Sequence, residues 1–174
     1  MSRKEAKSPR KTAQEHPVKR ALPRAGEGKR GVDGHLAYLL RQAHAAVRQA
    51  LEKALAETGI THPQFVVLTL VRAYGDLSGA EIARLAVITP QTANTITTNL
   101  VRLGALARHP DPSHGKVLRL SLTETGRNLL ARARPRTEAV ERDLAATLPA
   151  EFEAPLRQWL VRVATDLGDP SRDR

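Results

Sequence analysis

Residues Leu77 to Gly126 read LSGAEIARLAVITPQTANTITTNLVRLGALARHPDPSHGKVLRLSLTETG, and this stretch decides the fold of the chain. Ser78 and Glu81 have the spacing of a capping box, which predicts that a helix begins there. Thr89, followed by a proline, predicts the start of a second helix. Gly104 is placed to end that helix in a left-handed conformation. The sequence therefore predicts two short helices separated by a tight turn.

A β-hairpin is predicted after the second helix, over Leu106–Leu122. From Leu118 to Leu122 the leucines alternate with other residues, which is the period of a strand. The proline- and glycine-rich segment 110–115 predicts the hairpin loop. Two helices and a hairpin in this order are typical of a winged helix-turn-helix, which places its second helix in the major groove of DNA.

Longer amphipathic helices are predicted on both sides of this unit. Apolar residues recur at helical spacing over His35–Glu57, and a second capping box, Thr61–Gln64, opens a nearly apolar helix that we expect at the centre of the core. Thr123 is placed to cap a further helix, and a last helix is predicted over 149–167. The apolar stripes of the outer helices predict a homodimer joined through the chain ends.

The predicted fold class is mainly α with a small β-wing. We expect a winged helix-turn-helix region over 61–123, and a helical dimerisation region formed by the N- and C-terminal helices at 34–60 and 124–168. Residues 1–33 are rich in Lys, Arg, Pro and Gly and have no apolar period, which predicts a disordered basic arm. Residues 169–174 are expected to be a tail.

The charge of the chain points to a polyanionic partner. The chain has 28 Lys and Arg against 18 Asp and Glu, a formal net charge of +10, and residues 1–33 alone contribute +6 of it. Such a balance favours nucleic acid as the partner. Two interpretations of the basic arm stay open: it enters a minor groove beside the main contacts, or it only keeps the protein in solution.

Several classes of function are disfavoured by composition. The chain has no cysteine, which excludes disulfides and thiol catalysis. No apolar run approaches the roughly 20 residues that span a bilayer, and no hydrophobic segment follows the basic N-terminus, so a cytoplasmic protein without a membrane partner is expected. The six histidines lack the spacing of a helical zinc site. We expect no catalytic residue, metal or cofactor, and hence no enzyme; a metal sensor would need ligands from distant segments.

The second predicted helix has a polar face suited to DNA. Gln91, Thr92 and Thr95 are the candidate base contacts, because amides bond adenine bidentately and threonine offers a hydroxyl or a methyl group. The competing interpretation is a solvated polar face, but threonine is a poor helix former. Phosphate contacts are assigned to Arg84, Arg102, Arg108, Lys116 and Arg119. The complete candidate DNA-binding set is Ser78, Arg84, Thr89, Gln91, Thr92, Asn94, Thr95, Thr98, Asn99, Arg102, Arg108, Asp111, His114, Lys116 and Arg119.

Residues 35–167 resemble the MarR family of bacterial winged-helix transcription regulators. The resemblance is most specific in Thr89–Asn94, in Asp111-Pro112 of the wing and in the segment Leu122–Gly126. It implies a homodimer with the terminal helices at its apex and two winged heads below. It further implies binding to a pseudo-palindromic operator, usually as a repressor, and release of the DNA by a small, often phenolic ligand.

The sequence departs from the family pattern in two places. The family's wing usually ends in Asp-x-Arg, and His114-Gly115-Lys116 stands here instead. A lysine keeps the charge but lacks the planar fork of arginine. The arginines that many members carry on the recognition helix are replaced by Thr95 and Asn99, so the choice of operator is expected to lean away from arginine–guanine contacts.

The resemblance also implies a ligand site between the first, second and fifth helices. Tyr38, Arg41, His44 and His62 lie on the matching segments, and Arg or His beside an aromatic ring suits a carboxylate or a phenolate. The expected partners are therefore double-stranded DNA, a second copy of the chain and a small phenolic or carboxylate effector. The alternative function is an architectural DNA-binding protein that uses the basic arm without sequence preference.

Overall fold

The computed structural model describes residues 22–113, 115 and 117–168. Six α-helices and three short strands lie in this part of the chain, and the mainly helical fold with a small sheet confirms the predicted fold class. Contacts divide the chain into two units, Met1–Arg41 and Gln42–Arg174. Within the described ranges no helix is long and apolar enough to cross a membrane.

The described part of the first unit contains a compact turn that the sequence did not predict. A 3-10 helix spans Gly28–Arg30, and the Arg30 guanidinium donates to the Pro23 carbonyl at 2.9 Å. A Cβ on Gly31 would meet the Gly26 carbonyl oxygen, so the close approach needs glycine. Residues 22–33 thus contain local hydrogen bonds, and the disordered basic arm over 1–33 stays a prediction. Residues 1–21 of the predicted arm and the predicted tail, 169–174, lie outside the described residues.

The two helices that follow have the predicted order. Helix α1 spans Leu36–Leu55 and helix α2 spans His62–Tyr74. The Thr61 hydroxyl accepts from the Gln64 amide, and the Gln64 side chain accepts from the Thr61 amide at 2.9 Å, so the predicted capping box is confirmed. Helix α2 buries Val67, Leu68 and Val71, as expected for the central helix of the core.

The helix-turn-helix is confirmed at both predicted starts. Helix α3 spans Gly79–Leu85 and begins with the Ser78–Glu81 capping box, and helix α4 spans Pro90–Arg102 with Thr89 as its N-cap. Gly104 has a φ of +72°, the predicted left-handed conformation. The turn between the helices contains Val87 at a φ of +54°, which is unusual for a β-branched residue.

Three antiparallel strands form the wing and its base. Strands β2 (Leu106–Pro110) and β3 (Leu118–Leu122) form the predicted hairpin, and the order in the sheet is β1-β3-β2. Strand β1, Leu77–Ser78, was not predicted because two residues show no period. It pairs Ser78 with Arg119 and so places the start of α3 beside the wing.

Two helices complete the chain. Helix α5 spans Glu124–Ala146, and the Thr123 hydroxyl accepts from the Gly126 amide, which confirms the predicted cap. A Cβ on Gly126 would collide with the Ala105 carbonyl oxygen, so this glycine lets α5 approach the sheet closely. Helix α6 spans Ala150–Gly168 and buries none of its residues within its own chain.

The core joins α2, α3, α4, α5 and the sheet. Leu85 and Leu103, at the C-terminal ends of α3 and α4, are 42% and 45% exposed. Thr97 is buried, and its hydroxyl donates to the Asn94 carbonyl at 3.2 Å. It follows Ala93 by four residues and therefore lies on the same face of the helix.

Candidate nucleic-acid interface

Helix α4 presents the polar face that the sequence predicted. Gln91, Thr92, Asn94, Thr95 and Thr98 are exposed, whereas Ala93, Thr97 and Leu100 are buried on the opposite side. The exposed face is uncharged over its first two turns, and an amide–hydroxyl surface of this kind complements base edges in a major groove.

Short hydrogen bonds fix the threonines at the start of this face. The Thr89 and Thr92 hydroxyls lie 2.8 Å apart, and the Thr95 hydroxyl donates to the Gln91 carbonyl at 3.1 Å. A hydroxyl that donates to the backbone keeps its lone pairs for accepting. Within the described part of the chain the Gln91 and Asn94 side-chain amides make no hydrogen bond, so both are available to a ligand.

Two arginines border the polar face of α4. Arg102 donates to the Asn99 side-chain oxygen at 2.6 Å, and Asn99 is half-buried. Arg108, on β2, donates from Nη2 to the Thr98 hydroxyl at 2.9 Å and so connects the wing strand to the recognition helix. Arg84 is exposed on α3. Arg102 ends α4, whereas Arg84 and Arg108 lie on the neighbouring elements, so the three cations border the polar face, where phosphate contacts are made.

Arg119 lies at the base of the wing between two carboxylates. Its Nε donates to Asp111 at 2.6 Å, and its Nη1 donates to Glu81 at 2.9 Å and to the Asp76 carbonyl at 3.2 Å. The hydrogen bond to Asp111 is the main cause that raises the pKa of Arg119. Hydrogen bonds from the Ser78 backbone and hydroxyl lower the pKa of Glu81. Both shifts favour the charged forms of Arg119 and Glu81.

The structure places the remaining candidate residues in two ways. Ser78 is half-buried as the cap of α3, and Asp111 is buried against Arg119 and the Ser113 amide, so both are engaged within the protein. His114 and Lys116 lie outside the described residues. Sequence reasoning missed the role of Glu81 beside Arg119, because 38 residues separate the two and only the β1–β3 pairing brings them together.

Two cavities lie beside α2. One, of about 320 Å³, is lined by Glu52, Ala56, Gly59, Ile60, Thr61, His62 and Pro63. The other, of about 400 Å³, lies between α2 and α5 and is lined by Phe65, Thr69, Arg72, Ala73, Leu130, Arg134, Thr137 and Glu138. The second combines an aromatic ring with two guanidinium groups. The resemblance implied a ligand site between the first, second and fifth helices, but sequence reasoning named none of the residues that line this cavity.

The four residues predicted to bind an effector are divided between the two units of the chain. Tyr38 and Arg41 belong to the first unit, and His44 and His62 to the second. Partial burial lowers the pKa of His62; Glu52 opposes this shift, and the charges of His44 and Arg48 add to it. Of the predicted set, only His62 lines one of the two cavities. Among the described residues no group of three or more His, Asp or Glu side chains is arranged to hold a metal ion.

Comparison with known proteins places this geometry in a family. A sequence model of the MarR family matches residues 58–116. The transcriptional repressor Rv2887 of Mycobacterium tuberculosis is 39% identical over 136 residues, which cover 78% of this chain and 95% of the repressor. The chain belongs to the MarR family. This confirms the resemblance that the motifs carried, and the curated relatives at this level of identity are transcriptional repressors.

Solved structures of MarR-family proteins share the fold. The crystal structure of Rv2887 in complex with salicylic acid superposes with a TM-score of 0.61 at 36% identity and covers 76% of this chain and 98% of that one. A mutant MarR from E. coli complexed with operator DNA has a TM-score of 0.69 at 22% identity and covers 74% and 92%. The second likeness concerns the fold alone. The winged helix-turn-helix found here is thus the family's architecture.

Proposed function

We propose that this MarR-family chain is a transcriptional repressor that binds a pseudo-palindromic operator as a homodimer. The observation that carries the proposal is the exposed, uncharged face of α4, bordered by Arg102 and Arg108. The repressor Rv2887, with 39% identity, supports it. The role is regulatory and not enzymatic, and a regulator of this kind works in the cytoplasm, where bacterial DNA lies.

Base recognition is assigned to the N-terminal half of α4. Gln91 is the first exposed amide of the helix and has no competing hydrogen bond among the described residues. The Thr92 hydroxyl bonds with that of Thr89 and the Thr95 hydroxyl donates to the Gln91 carbonyl, and both side chains present methyl groups beside Gln91. Amide and methyl groups together favour A·T-rich half-sites over those read by arginine.

Phosphate binding is assigned to the cations around this face. Arg84, Arg102 and Arg108 are exposed. Lys116 of the wing and the basic residues of the N-terminal arm are added to this set from the sequence alone. Contacts of this kind fix the register of the protein on the duplex and supply most of the salt-dependent affinity.

Dimerisation is assigned to the helices at the chain ends, 34–60 and 124–168, and recognition to 61–123. Helix α6 leaves Phe152, Leu156 and Leu160 exposed at 56%, 38% and 44%. An apolar stripe of this length on a helix that buries nothing in its own chain needs a partner surface. A two-fold dimer presents two α4 helices and therefore reads two half-sites.

We assign effector binding to the cavity between α2 and α5. Phe65 offers an aromatic wall, and Arg72 and Arg134 offer guanidinium groups, the type of donor that bonds carboxylates. Arg134 is paired with Glu138 at 2.7 Å, so an acid that binds to it competes with this carboxylate. The related Rv2887 has been crystallised with salicylic acid. An aromatic acid is therefore the proposed effector. The site inferred from sequence, with Tyr38, Arg41, His44 and His62, is the competing location.

Selection of tight binders from random duplexes tests the function. We expect a dyad with half-sites about one helical turn apart, whose binding survives an excess of bulk DNA. An architectural binder would instead be titrated away by the bulk DNA. Adding salicylate to the complex should release the operator, and Arg134→Gln should weaken this release more than His44→Gln. The reverse order would favour the site inferred from sequence.

A further inference from the structure

One guanidinium group joins the wing to the helix-turn-helix. Arg119 of β3 donates to Asp111, at the neck of the wing, and to Glu81, in the first turn of α3, at 2.6 and 2.9 Å. The pairing of Ser78 with Arg119 across β1 and β3 brings these segments together. We propose that Arg119 is a positioning residue that sets the angle of the wing relative to α4, an inference that rests on the proposed function.

On the side of the wing, Asp111 makes hydrogen bonds to both ends of the wing loop. Its backbone amide donates to the Val117 carbonyl at 2.8 Å, and its Oδ1 accepts from the Ser113 amide at 2.8 Å. Its Oδ2 accepts from Arg119. The carboxylate is largely buried, with a side-chain exposure of 10%. Asp111 therefore connects the backbone of the wing loop to the Arg119 side chain.

On the side of the helix-turn-helix, the acceptor is Glu81, the N3 residue of the capping box that begins α3. The Glu81 carboxylate accepts from both the backbone amide and the hydroxyl of Ser78 at 2.8 Å, and the same Oε2 accepts from Arg119. A carboxylate fixed by its own cap is a rigid anchor. Helix α3 packs on α4 through the core, so the link extends to the recognition helix.

The competing role for Arg119 is a phosphate contact, which the sequence had suggested. Two carboxylates flank its guanidinium, and the side chain is only 29% exposed. The two carboxylates compensate the positive charge of the guanidinium, which weakens its attraction for a phosphate. Its Nε and Nη1 donors are also occupied. The geometry therefore favours positioning over direct contact.

The salt dependence of operator binding separates these roles. Arg119→Gln should lower operator affinity by about tenfold. The slope of log K against log salt should stay as in the wild type, because no phosphate contact is lost. Arg108→Gln, the comparison variant, should reduce the slope by about 0.9 for each contact. A reduced slope for Arg119→Gln would overturn the proposal.

The direction in which Asp111→Asn changes operator affinity gives a second test. Asp111→Asn removes a negative charge near the DNA, so simple electrostatics predicts tighter binding. Positioning predicts weaker binding, because the anchor of Arg119 is lost. The double variant with Arg119→Gln should then bind no more weakly than either single variant, since both break one link. Tighter binding by Asp111→Asn, or additive losses, would contradict the proposal.

A readout without DNA keeps this inference separate from the proposed function. Hydrogen exchange at the amides of Asp111 and Ser113 should speed up in Arg119→Gln and recover in part in Arg119→Lys, while exchange in α2 stays unchanged. Arg142→Gln, the same charge change at an exposed site on α5, should leave the exchange of the Asp111 and Ser113 amides unchanged. Wild-type exchange in Arg119→Gln would refute the link, whether or not the protein binds DNA.

Discussion

Arg108 and Thr98, ten residues apart and on different elements, are joined by a 2.9 Å hydrogen bond from Nη2 to the hydroxyl. The bond runs from the wing strand β2 to the exposed face of the recognition helix α4. A cation that would otherwise be mobile is thereby held beside the groove-facing surface. The arrangement separates two contributions of Arg108, its charge and its fixed position.

Substitutions at both ends of this bond should separate those contributions. Arg108→Gln removes the charge, so binding to all DNA sequences should weaken and the salt slope should fall by about 0.9 for each contact. Thr98→Val removes only the acceptor, so affinity should fall less and the slope should stay unchanged. Titrations at several salt concentrations measure both. Thr125→Val, at an exposed threonine of α5, is the matched control; an altered slope in Thr98→Val would contradict this division.

Gln91 should govern one position of the operator. Because its amide is exposed and free of hydrogen bonds among the described residues, Gln91→Ala should relax the preference at a single base pair by about 1–3 kcal/mol. Competition between operators that differ at each position measures the effect. Asn128→Ala, at an exposed residue of α5, should change no position. Equal weakening on every duplex would count against base contact by Gln91.

Val87 should limit the stability of the helix-turn-helix. Its φ of +54° costs an L-residue about 1–2 kcal/mol, and its side chain is 90% exposed, so little packing is lost when it is removed. Val87→Gly should raise the free energy of unfolding by about 1 kcal/mol, since part of the relief is offset by the entropy of glycine. Denaturant unfolding measures this. Val87→Ala keeps the positive φ and should gain less; an equal gain would argue against backbone strain.

His62 should make stability depend on pH. Burial lowers its pKa in the folded protein below the ordinary value of 6.5, so the unfolded chain binds the proton more tightly. Stability should therefore rise with pH through the interval between the folded pKa and 6.5, and be lowest on the acid side of it. Unfolding midpoints of the wild type and His62→Gln across this interval check the sign. A wild-type curve parallel to that of His62→Gln would exclude the effect.

Local patterns in the sequence predicted most of the winged helix-turn-helix. The helix caps at Ser78 and Thr89 depend on residues three positions apart in the sequence. Gly104 comes directly after the last apolar residue of the helical pattern of α4. All three features are local, so the sequence predicted them. The position of Thr97 was missed because its hydroxyl is satisfied by its own helix, which lets a polar residue join an apolar face.

Contacts between distant segments were not predictable in the same way. The two-residue strand β1 has no period of its own, and without it nothing in the sequence brings Glu81 to Arg119. The sequence assigned Arg119 to phosphate binding from its charge and location on the hairpin. Its two carboxylate partners, which determine whether the guanidinium can bind a phosphate, follow the two edge strands of the sheet, β1 and β2.

The two roles of Glu81 have a consequence for engineering. One carboxylate both completes the capping box of α3 and binds Arg119. A wing taken from another member of the family would therefore lack this ion pair unless it also carried an arginine that reaches Glu81. Chimeras that exchange the hairpin alone should therefore lose operator affinity, and those that exchange residues 77–122 as one block should retain it.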